Sequence, residues 1–103
     1  MLGFLKKLSG KSSPDYKELV KDGALIIDVR TVEEYRSGHI SGSKNYPLDQ
    51  IRNQVQAIKK LNKPVITVCR SGARSGVARN ILKSAGVEVY NGGAWTSLNT
   101  KIA

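Results

Sequence analysis

The chain predicts an α/β fold, a small and mainly parallel sheet flanked by helices on both faces. Three observations carry that prediction. Short apolar runs alternate with stretches of helical periodicity across residues 24–99. The runs are aliphatic or β-branched and show no polar alternation, the pattern of strands covered on both sides. A chain of 103 residues has room for one modest core, so the strands share one sheet, and parallel neighbours need the crossovers that the helical stretches supply.

Ser13 followed by Pro14 reads as a cap and first helical residue, with Tyr16, Leu19 and Val20 on one face until Gly23. Residues 24–28 (Ala-Leu-Ile-Ile-Asp) form the first buried strand, which ends in a carboxylate. Thr31 with Glu34 three positions on is a capping box, so a helical turn starts there. Residues 37–47 are rich in Gly and Ser and read as loop around a short strand near 43–46. Ile51, Val55, Ile58 and Leu61 have the spacing of an amphipathic helix, with Lys59 and Lys60 near its C-terminal end.

Pro64 marks the next boundary, and residues 65–68 (Val-Ile-Thr-Val), β-branched throughout, make a second buried strand with Cys69 directly after it. Residues 75–85 read as a helix with Val77, Ile81, Leu82 and Ala85 on one side and Gly86 as the stop. A brief strand over 87–90 precedes Asn91-Gly92-Gly93, and 94–99 form a last helical turn. Ligands of such sheets bind beyond the carboxyl ends of the strands, where Cys69 and Asp28 both fall.

Composition bounds the function. Hydrophobic residues at 40% and charged residues at 24% are those of a folded, water-soluble domain. One cysteine excludes an internal disulfide, and a free thiol points to a reducing compartment, the cytoplasm. Residues 1–12 read as a poorly ordered leader and 13–103 as one domain. Leu2, Phe4, Leu5 and Leu8 around Lys6 and Lys7 leave a short amphipathic surface anchor as the other reading of that leader. No run has the length of a secretory core or a membrane span. Net charge is +9, from 17 Lys and Arg against 8 Asp and Glu. Nucleic-acid binding is not expected, because no basic run exceeds two residues and aromatics are only 6%; a field that attracts small anions is. One His and one Cys far apart provide no metal site, no cofactor is expected, and a monomer is.

The chemistry concentrates in Cys69-Arg70-Ser71-Gly72-Ala73-Arg74-Ser75, between a strand and a helix. A thiol there faces loop N–H groups and the free donors of the helix start, an anion-binding nest. Arg70 and Arg74 add two permanent charges, so the thiol pKa is expected below its free value of about 8.5. Gly72 permits the closed loop. Such a thiolate can attack sulfur or phosphorus. Cysteine phosphatases wrap phosphate in a Cys-x5-Arg loop, whereas here Arg74 follows after four residues and Ser75 takes the phosphatase position; the tighter ring suits a single sulfur atom.

At these residues the chain resembles the rhodanese family. Ile26-Ile27-Asp28-Val29-Arg30 is similar to its Asp-x-Arg segment, and residues 33–43 (Glu-Glu-Tyr-Arg-Ser-Gly-His-Ile-Ser-Gly-Ser) to its Glu-Tyr and Gly-His-Ile-Pro-Gly-Ala segment. Cys69 to Ser75 resembles its active loop, and Asn91-Gly92-Gly93 with Trp95 its closing motif. Ser41 stands where the family often has Pro and Ser43 where it has Ala, which bears on loop packing only. The resemblance implies a rhodanese-like fold and a sulfurtransferase. Cys69 attacks the outer sulfur of a donor such as thiosulfate, and a thiophile then takes that sulfur from a Cys69 persulfide.

The partners so implied are small sulfur-containing anions and a thiol or protein acceptor. Competing readings are a non-enzymatic persulfide relay docking a protein through the basic surface and a phosphatase or arsenate reductase, which the short loop opposes. Plainer roles stand beside the sharp ones: Cys69 as a buried structural thiol, and Arg70 and Arg74 as solvated charges. His39 belongs to a structural loop rather than serving as a general base, Asp28 and Arg30 form a structural pair near the site, and Trp95 either shapes the pocket mouth or packs. A Cys69 sealed in the interior and titrating like a free thiol would end the sulfurtransferase reading.

Overall fold

The computed structural model describes residues 14–103. The expected leader over 1–12 and the Ser13 cap lie outside them. Helix α1 (Tyr16–Lys21) starts instead at Asp15, whose side chain accepts from the Glu18 N–H; Pro14 precedes the helix and does not open it. Strand β1 (Leu25–Asp28), helix α2 (Val32–Arg36) and strand β2 (Lys44–Asn45) follow. A single 3-10 turn (Leu48–Gln50) leads into α3 (Ile51–Lys60), then come β3 (Val65–Cys69), α4 (Ala73–Ser84), β4 (Val89–Ala94) and α5 (Trp95–Ile102).

The four strands form one parallel sheet in the order β2-β1-β3-β4. Every residue of β3 is buried, as befits one of the two inner strands, with helices on both faces. The pleat sorts side chains between two cores. Ile27, Val29, Val65, Cys69 and Val89 pack with Ile51 and Ile58 of α3 and Ala78 and Leu82 of α4. Ile26, Ile66 and Val68 pack on the other face with Tyr16 of α1, Ile40 and Leu98 of α5. Each such aliphatic side chain contributes about 1.5–3 kcal/mol.

Three sequence expectations need correction. Leu61 is 45% exposed and Val77 49% exposed. Leu61 lies about 80° round the helix from the Ile51–Val55–Ile58 stripe and caps α3, where Asn62 at φ 53° turns the chain away. On α4 the buried row is Ser75, Ala78 and Leu82, so Val77 faces outward. The last strand is not 87–90 but Val89–Ala94, so Asn91-Gly92-Gly93 lies inside β4. Register jumps there, with Thr67 opposite Asn91 and Val68 opposite Gly93, which leaves Gly92 as a bulged residue. A Cβ on Gly92 would sit 2.8 Å from Ile66 Cγ2 and 3.1 Å from the Thr67 carbonyl, so only glycine fits. Among the described residues no helix is long and apolar enough to cross a membrane.

Candidate active site

Cys69 ends β3, and Arg70, Ser71 and Gly72 are the whole connection before α4 begins at Ala73. Gly72 takes φ 108°, a left-handed conformation that costs other residues about 1–2 kcal/mol. That turn brings the loop back over the sulfur. Sγ accepts from the Gly72 N–H at 3.0 Å and from the Ser75 N–H at 3.4 Å, and it lies 3.3 Å from Ser75 Oγ.

Cys69 is only 1% exposed, so half of the condition set against a reactive thiol is met. The other half is not. Burial pushes the thiol up, but the Ser75 hydroxyl, the Ser75 and Gly72 N–H groups and the Ser71 N–H together hold it below its ordinary value. Hydrogen bonds to the anion outweigh its desolvation.

The arginines do less of this than the sequence suggests. Arg74 donates to both oxygens of Glu34, at 2.8 and 3.1 Å, and its guanidinium is held charged by Glu34 first, with the Cys69 charge a lesser influence. Arg70, next to the thiol in sequence, is exposed, as is Ser71. The lowering of the thiol therefore comes from main-chain and hydroxyl donors rather than from a pair of guanidinium groups. Ala73 opens α4 on the solvent side.

One strand over, Asp28 and Arg30 form the expected structural pair. Arg30 Nε and Nη2 fork onto the Asp28 carboxylate, with Nη2 at 2.7 Å from Oδ2, and the remaining donors reach the Glu34 and Gly38 carbonyls. Its guanidinium carbon lies 4.7 Å from the centre of the Trp95 ring, and Trp95 packs against the core of that sheet face. His39 stacks on Tyr35 at 3.7 Å and its Nδ1 lies 2.7 Å from the Tyr35 carbonyl oxygen; it closes the 37–43 loop and is not in contact with Cys69.

Two residues of the site were not singled out from sequence. In the sequence Glu34 is half of a capping box, which the structure has, and part of the Glu-Tyr segment, yet the same carboxylate anchors Arg74 and is held at a pKa of about 2, by Arg74 first and by the Thr31 N–H next. Asn91 was quoted only as part of a closing motif. Its Oδ1 accepts from the Ser75 hydroxyl at 2.7 Å and from the Gly93 N–H at 2.9 Å, while Nδ2 donates to the Gly72 carbonyl at 3.2 Å. No local signal singles it out, because the sequence ends the strand before Asn91 and only the structure places it inside β4.

Comparison with known proteins agrees with this architecture. Residues 12–96 match the family model of the rhodanese-like domain. The uncharacterised protein YqhL of Bacillus subtilis is 41% identical over 69 residues, which are 66% of this chain and 54% of that protein. The thiosulfate sulfurtransferase PspE of Escherichia coli is 36% identical over 69 residues, 65% of this chain and 66% of PspE. This chain thus spans between about half and two thirds of the length of these two relatives. The solved rhodanese with anions from E. coli superposes with a TM-score of 0.66 at 32% identity, over 73% of this chain and 91% of that one. With a four-stranded parallel sheet, a cysteine loop at the end of β3 and a family match over most of its length, the chain belongs to the rhodanese-like domain family.

Proposed function

We propose that the chain is a sulfurtransferase that carries sulfur as a persulfide on Cys69, with residues 13–103 as its one folded unit. The observation that supports this best is the convergence of Gly72 N–H, Ser75 N–H and the Ser75 hydroxyl on one sulfur. Such a cup favours the anion without an adjacent base, so more of the nucleophile is ionised than in a free thiol.

In the first half-reaction the Cys69 thiolate attacks the outer sulfur of thiosulfate. The new S–S bond forms as the old one breaks, and its electron pair leaves with sulfite. In the second, a thiophile such as cyanide or a thiol takes the outer sulfur, and the electron pair of the broken bond returns to Sγ. The loop amides, unpaired within the helix start, are the donors for the persulfide's charge. With Arg74 bound to Glu34, Arg70 is the guanidinium of the loop that meets an incoming sulfonate. A free catalytic thiol suits a reducing setting, the cytoplasm.

The test is intact mass after incubation with thiosulfate. A gain of one sulfur atom, removed by cyanide and absent in Cys69→Ser, is expected; an unchanged mass in the native chain overturns the reading. A relay to a protein acceptor shares the first half-reaction, and rapid loading with slow release to cyanide would select it.

A further inference from the structure

The hydrogen bonds of Asn91 settle where the Ser75 proton lies. The Gly93 N–H can only donate and the Gly72 carbonyl can only accept, so the Asn91 amide has one orientation, with Oδ1 toward Gly93 and Ser75. A carbonyl oxygen cannot donate. The 2.7 Å contact between Ser75 Oγ and Asn91 Oδ1 therefore uses the single Ser75 proton. It follows that in the 3.3 Å contact with Cys69 Sγ the Ser75 oxygen is the acceptor and the thiol is the donor. Once Cys69 ionises it has no proton to give, and Ser75 must turn its own toward the sulfur. Asn91 Oδ1 is not orphaned by that turn, because the Gly93 N–H remains on it.

We propose that Asn91 is a positioning residue that holds the Ser75 hydroxyl proton whenever Cys69 Sγ is uncharged and yields it whenever Sγ is an anion. On the persulfide reading above, the proton then follows the charge through both half-reactions. It points from Ser75 to Sγ while the thiolate attacks. It returns to Asn91 once the outer sulfur carries the charge and sulfite has left with its electron pair. It swings back as the acceptor takes the outer sulfur and the pair returns to Sγ. Asn91 and the thiolate thus compete for one donor, and the rest of the main-chain cup is constant.

The β4 bulge at Gly92 sets Asn91 opposite Thr67, and the Tyr16 hydroxyl donates to the Asn91 carbonyl at 3.1 Å, so the residue is fixed by backbone on both sides. The charged groups near the thiol are Arg70, Arg74 of α4 with Glu34 of α2, and the Asp28–Arg30 pair. The side-chain bonds of Arg74 and Arg30 go to Glu34, Asp28, and the Glu34 and Gly38 carbonyls, so changes at Ser75 and Asn91 leave them in place.

The experiment is a double-mutant cycle read as the pH profile of Cys69 alkylation by iodoacetamide, which requires no sulfur transfer. Ser75→Ala is expected to slow alkylation below the midpoint about threefold, the weight of one modest hydrogen bond. Asn91→Ala, at an exposed position, frees the Ser75 proton and is expected to move the midpoint down, with alkylation about threefold faster. Ser75→Ala made in that background then costs about tenfold. Equal Ser75→Ala effects in the two backgrounds, or an upward midpoint in Asn91→Ala, overturn the proposal and leave Asn91 as a prop for the Gly72 carbonyl. Asn91→Asp supplies an independent arm. Its stronger acceptor keeps the proton from sulfur, so the Ser75→Ala effect falls below threefold; an undiminished effect overturns the proposal. Failure of the persulfide reading would show instead as no mass gain from thiosulfate with the cycle intact.

Discussion

Two neighbouring strand ends of this sheet each bury an ionisable group, and they are built in opposite ways. At the end of β1, Asp28 and Arg30 neutralise one another, and the donors of Arg30 are directed onto Asp28, Glu34 and Gly38. At the end of β3, neutral donors converge on one sulfur, and Arg74, the guanidinium whose charge is felt with that of Cys69, is engaged by Glu34. The first arrangement is closed: charge meets charge and nothing remains to bind. The second stabilises an anion while leaving it uncompensated by any bonded cation, which is what a nucleophile requires. Adjacency at the carboxyl edge of a sheet is thus not enough to assign chemistry; the partner set decides.

The sharpest way to break this contrast is at Cys69. Cys69→Ser is expected to abolish sulfur loading from thiosulfate and transfer to cyanide while leaving thermal stability within a few degrees, since the two side chains are nearly the same size. Retained turnover would remove Cys69 from the chemistry. At the other strand end the effects should be reversed. Arg30→Met leaves a buried carboxylate alone and is expected to destabilise by about 3–5 kcal/mol, measured by urea unfolding. Asp28→Asn combined with Arg30→Met should recover a substantial part of that loss. If the single variant unfolds no more easily than the native chain, the pair is not the closed structural unit described.

The order of elements and the parallel sheet were legible because buried strands announce themselves: Leu-Ile-Ile before Asp28 is unbroken aliphatic and Val-Ile-Thr-Val before Cys69 is β-branched throughout. The Thr31–Glu34 capping box was equally legible, being a purely local interaction. What failed to show was long-range. Asn91-Gly92-Gly93 carries the composition of a turn, and only the close approach of Ile66 and Thr67 reveals why glycine is needed inside a strand. Likewise Arg74 and Glu34 stand 40 positions apart, and no local pattern says that one holds the other. The nest of loop N–H groups around Cys69 was legible as a source of anion stabilisation, but Arg70 and Arg74 carried too much weight beside it, because guanidinium groups are visible in a sequence and the partner that engages them is not.

A smaller effect tests the bulge that joins the two halves of the site. Gly92→Ala places a methyl group against Ile66 Cγ2 and the Thr67 carbonyl, and Thr67 Oγ1 in turn donates to the Ser75 carbonyl at 2.9 Å. Overpacking of this kind costs about 1–3 kcal/mol. Because the displaced strand carries Asn91, the pH profile of thiol alkylation should shift together with the unfolding midpoint. A loss of stability with an unaltered profile would separate the bulge from the thiol.

The weakest expected effect lies at the bridge between the two strand ends. Glu34 touches Arg30 through its carbonyl and Arg74 through its carboxylate. Its carboxyl, held at about 2 against an ordinary value of 4.5, is more readily ionised in the folded chain than in the unfolded one. The stabilisation is therefore complete above pH 4.5 and is lost as pH falls through about 2. Both partners are partly open to solvent, so the ion pair itself contributes at most about 1 kcal/mol. Glu34→Gln should lower stability by about that amount at neutral pH, and the difference from the native chain should vanish near pH 2 in acid unfolding followed by circular dichroism. Its effect on the thiol should be slight, because the Ser75 hydroxyl and the loop N–H groups lead the forces that hold the sulfur anion. A large upward shift of the Cys69 alkylation midpoint in Glu34→Gln would return the Arg74 charge to the centre of the site.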